Sequence, residues 1–253
     1  MKIQLIKVPK QILPISILLC IFHSASMANN RDSLIISVFT YTYNQQFGEA
    51  DSLLSENYKE LDPFYAEFLE IDLYWWKYST SRSWADARNF ISLLDKYEMN
   101  ETGRETDEIK RLIRKSYLMR FERKRYNLWN VVVLRTEINQ MLAELNRDKL
   151  SINEDQLKLF DMYIILFKYF ENINPFLIRT RDQEHKNHLR ELNEYAEDDN
   201  FIISTTAHYF LGRIYQKVEK EPENAKLHFE VLTRKFPGNK LFEEYLEESN
   251  RKI

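Results

Sequence analysis

The sequence predicts an all-α fold of about ten or eleven helices. Apolar residues recur at intervals of three and four over most of the chain, which is the spacing of one face of an α-helix. Only four glycines and six prolines occur in 253 residues, so few turn residues are present for a sheet of many short strands. The hydrophobic content of 44% and the aromatic content of 14% are enough to bury a substantial core. We therefore expect antiparallel helices joined by short connections, with almost no strand.

Residues 1–28 are predicted to form a secretory signal peptide. Lysines occur among the first ten residues, an apolar run follows at 12–22, and small residues precede a cleavage point after Ala28. The alternative is an uncleaved N-terminal anchor, and both interpretations are open. Because Cys20 is the only cysteine, a cleaved chain would have no disulfide, which suits a bacterial envelope better than a eukaryotic secreted domain. The remaining residues, 29–253, are expected to form one helical domain.

The clearest helical hairpin is predicted at 204–237. Pro222 suits the first turn of its second helix, where a proline loses no hydrogen bond, and Pro237 with Gly238 ends that helix. Neither helix can bury its apolar stripe alone, so the two are expected to pack together. The stripes are Ala207, Phe210, Leu211, Ile214, Tyr215 and Val218, followed by Ala225, His228, Phe229, Leu232 and Phe236.

Two N-terminal segments are predicted to repeat this hairpin. They share a tyrosine nine residues before an alanine, with an aromatic residue three before the same alanine: Tyr41, Phe47 and Ala50, then Tyr78, Trp84 and Ala87. The small alanine lets two helices approach closely, while the aromatic residue fills the gap beside it. The chain is expected to turn at 79–83 between the helices of the second segment. Beyond 103 this pattern fades until the last hairpin, although helical periodicity continues.

The repeated residues resemble a tetratricopeptide repeat (TPR), whose signature runs Leu-Gly, Tyr, Ala, an aromatic residue and a closing Pro over about 34 residues. The matching positions are Leu211, Gly212, Tyr215, Ala225, Phe229 and Pro237. The resemblance implies a TPR-like α-α superhelix of antiparallel hairpins, whose concave surface binds a peptide or a partner helix. The groove residues that it implies are Phe39, Tyr43, Asp72, Trp76, Tyr209, Arg213, Gln216 and Lys217. The alternative is that Phe39 and Trp76 simply pack against neighbouring repeats.

Motifs for catalysis or cofactor binding do not stand out in the sequence. It contains no Gly-rich phosphate loop and no Gly-x-Ser-x-Gly elbow, so we expect neither an enzyme nor a cofactor. His185 and His188, three residues apart on a predicted helix, could present a metal-binding face, but they also continue an apolar stripe. We therefore expect no metal site. His208 and His228 are interpreted as packing histidines of the last hairpin.

A dense basic run lies between Lys110 and Arg125. Eight of its residues are basic, and Glu122 is the acidic exception. The run is either a solvated helix face or a patch for an acidic partner segment or an anionic surface, since it contrasts with the net charge of −3. That negative charge argues against nucleic acid as a bulk partner.

The function predicted from these observations is a noncatalytic scaffold or adaptor that binds another protein in the cell envelope. The protein is expected in the periplasm of a Gram-negative bacterium or associated with its outer membrane. Association with the membrane is an open alternative, but not through a transmembrane helix in the mature chain. The alternative is an accessory protein that binds carbohydrate or a small ligand through exposed aromatic residues such as Tyr74, Trp75 and Trp76.

Overall fold

Eleven helices and no strand occur in the part of the chain that the structure, a computed structural model, describes: residues 32–99, 105–147, 150, 152–171 and 183–253. The all-α class is therefore confirmed. The predicted signal peptide lies outside the described residues. In chain order the helices are α1 (32–43), α2 (Phe47–Asn57), α3 (Pro63–Ser81), α4 (Trp84–Met99), α5 (Glu105–Lys124), α6 (Leu128–Glu144), α7 (Glu154–Glu171), α8 (Gln183–Ala196), α9 (Phe201–Ile214), α10 (Pro222–Lys235) and α11 (Lys240–Asn250).

The helices are arranged as successive hairpins. Helices α3 and α4, α5 and α6, α7 and α8, and α9 and α10 pack as sequential pairs. The first members also pack side by side, since α3 contacts α5, α5 contacts α7, and α7 contacts α9. The alanines that mark the repeated pattern, Ala50, Ala87 and Ala225, are all buried in the second helix of a hairpin. The three segments therefore occupy analogous positions in the fold.

Helix ends follow local sequence signals. Asp62 accepts a hydrogen bond from the backbone N–H of Phe64, with Pro63 in the first turn of α3. Helix α3 continues to Ser81 and ends at Arg82, whose backbone is left-handed (φ 54°). The predicted turn at 79–83 is thus shorter than expected. Pro222 begins α10, as its position predicted.

One aromatic position departs from the predicted pattern. The pattern predicts that Trp84 fills the gap beside Ala87, but its side chain is largely exposed. Phe90, two turns into α4, is fully buried instead and lies 5.7 Å from Trp75 between ring centroids. The expectation for Trp84 is therefore wrong, because Phe90 and not Trp84 fills the space beside Trp75 between α3 and α4.

Helices α9 and α10 approach closely at Gly212. A Cβ atom at this position would lie 2.7 Å from Cε1 and 2.8 Å from Cζ of Phe229, which is fully buried. Such distances are shorter than van der Waals contact, and the surrounding core leaves a buried ring little room to move. The glycine is therefore required by packing, and not by backbone conformation.

The first and last helices that the structure describes, α1 and α11, are in direct contact. Asn239, which is fully buried, donates from Nδ2 to the backbone carbonyl of Tyr43 (2.7 Å). Its Oδ1 accepts from Nε2 of Gln45 (2.9 Å) and also from the N–H groups of Leu241 and Phe242 in the first turn of α11. Aromatic rings continue the contact, since the Tyr43 ring centroid lies 5.2 Å from that of Phe236. We call this contact between α1 and the start of α11 the seam.

Candidate functional site

The implied groove residues are largely buried by the protein itself. Phe39, Tyr43, Asp72, Trp76 and Gln216 are all buried, Tyr209 and Arg213 are half-buried, and Lys217 is exposed. Aromatic rings fill the space along the first helices of the hairpins: Tyr43 lies 4.9 Å from Trp76, and Trp76 lies 5.3 Å from Tyr209. In this structure the five buried side chains face the core and not a groove, because closure at the seam brings the inner faces together. A binding role for Tyr209, Arg213 or Lys217 stays a prediction.

A buried polar cluster lies among these rings. The Tyr117 hydroxyl donates to Oδ1 of Asp72 over 2.6 Å. Burial raises the pKa of Asp72 to about 6, although the hydrogen bond from Tyr117 and the nearby Arg120 act in the opposite direction. The guanidinium of Arg120 lies within 4.4 to 5.7 Å of the rings of Trp75, Tyr117, Tyr209 and Phe210. Aromatic faces therefore surround this cation on several sides.

The aromatic residues named for the alternative ligand-binding function are not exposed. Trp75 and Trp76 are buried and Tyr74 is half-buried. Trp75 contacts Phe90 and Tyr117, so its ring belongs to the core between α3, α4 and α5. The expectation that these rings are available to a carbohydrate is therefore wrong for the two tryptophans.

The basic run of α5 is divided between several internal partners. Arg114 forms a buried ion pair with Glu67, which Lys110 also approaches to 3.5 Å. Lys115 pairs with Glu137 of α6 over 2.7 Å. The run is therefore neither one solvated face nor one patch, because its first half neutralises carboxylates of α3 and α6. No local pattern in the sequence indicates this pairing, since Glu67 lies 47 residues before Arg114.

Three of the four buried histidines in the described residues lie in two separate clusters, and the fourth, His188, has no hydrogen-bond partner for its Nδ1. His185 Nε2 and the Tyr169 hydroxyl both contact Oε1 of Glu219, at 2.9 and 2.6 Å. Glu219 ends a short π-helical turn, Tyr215–Glu219, that follows α9 and that the sequence did not predict. Across the described residues, no three His, Cys, Asp or Glu side chains converge closely enough to hold a metal ion.

His208 and His228 form the second cluster, as packing partners between α9 and α10. Their Nδ1 atoms lie 2.8 Å apart, so one ring donates and the other accepts. Burial lowers the pKa of His208 to about 4, assisted by Lys235, and burial with His208 nearby lowers the pKa of His228 to about 4. Both rings are therefore neutral at pH 7, which agrees with their burial between the helices.

This pair makes stability depend on pH. The folded pKa values lie below the ordinary value of 6.5, so the unfolded chain binds more protons, and stability is lost as pH falls from about 6.5 towards 4. We expect the pair to contribute a loss of about 3 kcal/mol between pH 7 and 5 after allowance for solvent screening, because each buried histidine contributes about 1.5 to 2 kcal/mol. Urea unfolding at both pH values would measure it. In His228→Gln this loss should shrink, and an unchanged pH dependence would contradict the assignment.

The end of the α5–α6 hairpin carries the most prominent exposed apolar side chains. Tyr126, Leu128, Trp129 and Val132 are 87%, 48%, 76% and 51% exposed, and Trp84 nearby is 73% exposed. The guanidinium of Arg125 lies 5.2 Å from the Trp84 ring, which joins the two turns. We call these five apolar residues the aromatic tip. On α6, Leu134 and Ile138 are buried, whereas Trp129 and Val133 are exposed. The sequence carried one signal for this surface. Apolar residues at 128–134 are more numerous than a single buried face of a helix can accommodate.

Two further findings concern the class of protein. None of the described helices combines the length and the hydropathy needed to cross a membrane. No family model, no curated protein and no solved structure matches this chain. The fold and the site together define an all-α protein of successive helical hairpins with an exposed aromatic tip.

Proposed function

We propose that the chain is a TPR-like helical-repeat adaptor of the cell envelope, without a catalytic role, which binds another protein through the aromatic tip. The TPR-like architecture is supported by the successive hairpins and by the equivalent placement of Ala50, Ala87 and Ala225. Location in the envelope is supported only by the sequence pattern of residues 1–28.

The aromatic tip is the observation that carries this proposal. An exposed cluster of large apolar side chains costs solvation free energy, and such clusters on soluble domains mark interaction surfaces. Tryptophan, tyrosine and arginine are also the residues that contribute most to binding energy at protein interfaces. Here Trp84, Tyr126 and Trp129 occur with Arg125, which holds the ring of Trp84. This composition is more typical of a protein-binding surface than of an ordinary solvent-exposed surface.

The chemistry of the partner follows from the rim of the tip. Arg123 and Arg125 are both exposed at the end of α5, directly before Tyr126. A complementary surface would offer an apolar pocket for Trp129 and carboxylates for these two arginines. The filled inner face plays no part in this mode of binding, in contrast to the groove that the TPR resemblance implies.

Substitution in the tip tests the proposal. In Trp129→Ala/Val132→Ser, both truncated side chains are exposed, so the fold should be kept while partner affinity falls at least tenfold. Leu227→Ser on α10 is the matched control, because Leu227 is also an exposed apolar residue (60%) but lies on another hairpin. An envelope protein retained by the wild type and by the control would be purified, and its Kd measured for all three.

Two outcomes of this experiment would contradict the proposal. Equal affinity of the purified partner for the wild type and the double variant would remove the tip as the binding surface. Binding of the tip to protein-free vesicles of envelope lipids, with no protein retained, would assign it to the bilayer instead.

A further inference from the structure

Four cationic side chains converge where α3, α5 and α9 end. They are Arg82, Arg120, Lys124 and Arg213, which we call the cation cluster. Arg120 and Lys124 lie four residues apart on α5, and both approach the ring of Trp75, at 4.4 and 5.6 Å from its centroid. The two cations are therefore on one face of α5, turned towards α3.

Neighbouring rings bring the other two members to the same place. Lys124 Nζ lies 5.0 Å from the ring of Tyr78, one helical turn before Arg82 at the end of α3. Arg120 lies 5.7 Å from the ring of Tyr209, one turn before Arg213 at the end of α9. Three helices thus present positive charge at one edge of the fold.

Few carboxylates oppose this charge. Among the described residues, none of the four cations forms an ion pair with a carboxylate, whereas Lys110, Arg114 and Lys115 of the same helix all do. Asp72 is the carboxyl group that acts on Arg120, and it is already engaged by the Tyr117 hydroxyl. Burial, followed by repulsion from Arg82, Arg120 and Arg213, lowers the pKa of Lys124 to about 8, which is consistent with uncompensated positive charge.

Unused hydrogen-bond donors lie beside the cluster. The Ser79 hydroxyl and the Trp75 indole N–H are buried and have no hydrogen-bond partner among the described residues. These two residues lie one turn apart on α3, and Lys124 Nζ donates to the Ser79 carbonyl over 3.5 Å. Buried polar groups normally have a partner, so unsatisfied donors next to clustered cations indicate a ligand that accepts hydrogen bonds.

We propose that the cation cluster binds a phosphate group. Three guanidinium groups suit an anion with several acceptor oxygens, because their planar N–H pairs can each hold two oxygens of a phosphate. A dianionic group also offsets more of the accumulated charge than a single carboxylate would. The same chemistry is offered by a soluble phosphate compound and by a phospholipid headgroup. The cation cluster shares no residue with the aromatic tip, although Arg82 and Lys124 lie two residues from Trp84 and Tyr126, so the proposed protein partner can be absent while the cluster still binds.

Titration calorimetry with pyrophosphate, inorganic phosphate and citrate tests the soluble ligand, and sedimentation with vesicles of phosphatidic acid in phosphatidylcholine tests the lipid. Arg82→Gln/Lys124→Gln is the informative variant: both residues reach the surface, although the amine of Lys124 also packs against the rings of Trp75 and Tyr78, and glutamine keeps much of each side chain, so the protein should stay folded. Lys59→Gln/Arg88→Gln is the matched control, because it removes two exposed positive charges elsewhere. Thermal unfolding of both variants would verify folding.

We expect the wild type and the control to bind one of the phosphate probes with Kd values within twofold of each other, and the informative variant to bind at least tenfold more weakly. Binding of pyrophosphate would identify a soluble ligand, and binding of phosphatidic acid vesicles alone would identify a headgroup. The proposal is overturned if the wild type binds neither source, if both variants bind equally, or if citrate binds as tightly as pyrophosphate.

Discussion

Asn239→Ala is expected to lower the free energy of unfolding by about 3 kcal/mol. The change removes the cap of α11, because Oδ1 of Asn239 accepts from the N–H groups of Leu241 and Phe242. It also leaves the carbonyl of Tyr43 without the donor that now lies 2.7 Å away in a fully buried position. Urea unfolding followed by circular dichroism would measure the loss.

Asn200→Ala provides the matched control for this prediction. Asn200 caps α9 in the same way, by accepting from the N–H groups of Ile202 and Ile203. The substitution Asn200→Ala should lower the free energy of unfolding by only about 1 kcal/mol, which is the usual contribution of a helix N-cap. The difference between the two losses of unfolding free energy measures the contribution of the seam. Equal losses would therefore show that the contact between α1 and α11 contributes little to stability. Hydrogen exchange in α1 should rise in Asn239→Ala and not in Asn200→Ala.

Gly212→Ala is expected to destabilise the fold by about 2 to 3 kcal/mol. The added methyl group would overlap the buried ring of Phe229, and the two helices must separate or the ring must leave its position. Gly48→Ala is the control, since no atom lies within 4 Å of the place that its methyl group would occupy and alanine favours the helix. It should be neutral or slightly stabilising in the same urea experiment.

A second substitution separates steric overlap from other causes. In Gly212→Ala/Phe229→Leu the shorter side chain leaves room for the methyl group, so the double variant should be more stable than the two single losses predict when added. A purely additive result would mean that the glycine matters for a reason other than contact with Phe229.

Local signals predicted the hairpins well. Pro222 opens a helix where a first-turn proline should, and the alanine pattern marked second helices because small buried residues permit close helix packing. These features depend on residues within one or two turns of each other. For that reason these features can be recognised from the sequence alone.

The content of the inner face could not be predicted in the same way. Whether Trp76 lines a groove or a core depends on the angle between successive hairpins, and that angle results from many small packing differences. The seam joins Gln45 to Asn239 across 194 residues, and no short motif encodes such a pair. The aromatic tip was only partly predictable, because Trp129 is nine residues from the buried Ile138 and so lies on the opposite face of the helix, but nothing local indicates that none of the other described helices covers that face.

The seam also affects how the protein should unfold. In an open array of helical hairpins each unit touches only its neighbours, so the outermost units can melt while the middle stays folded. Here the hydrogen bond between Asn239 and Tyr43 ties the outermost units to each other. Loss of either one exposes the aromatic rings of the other, and melting should therefore be a single concerted event.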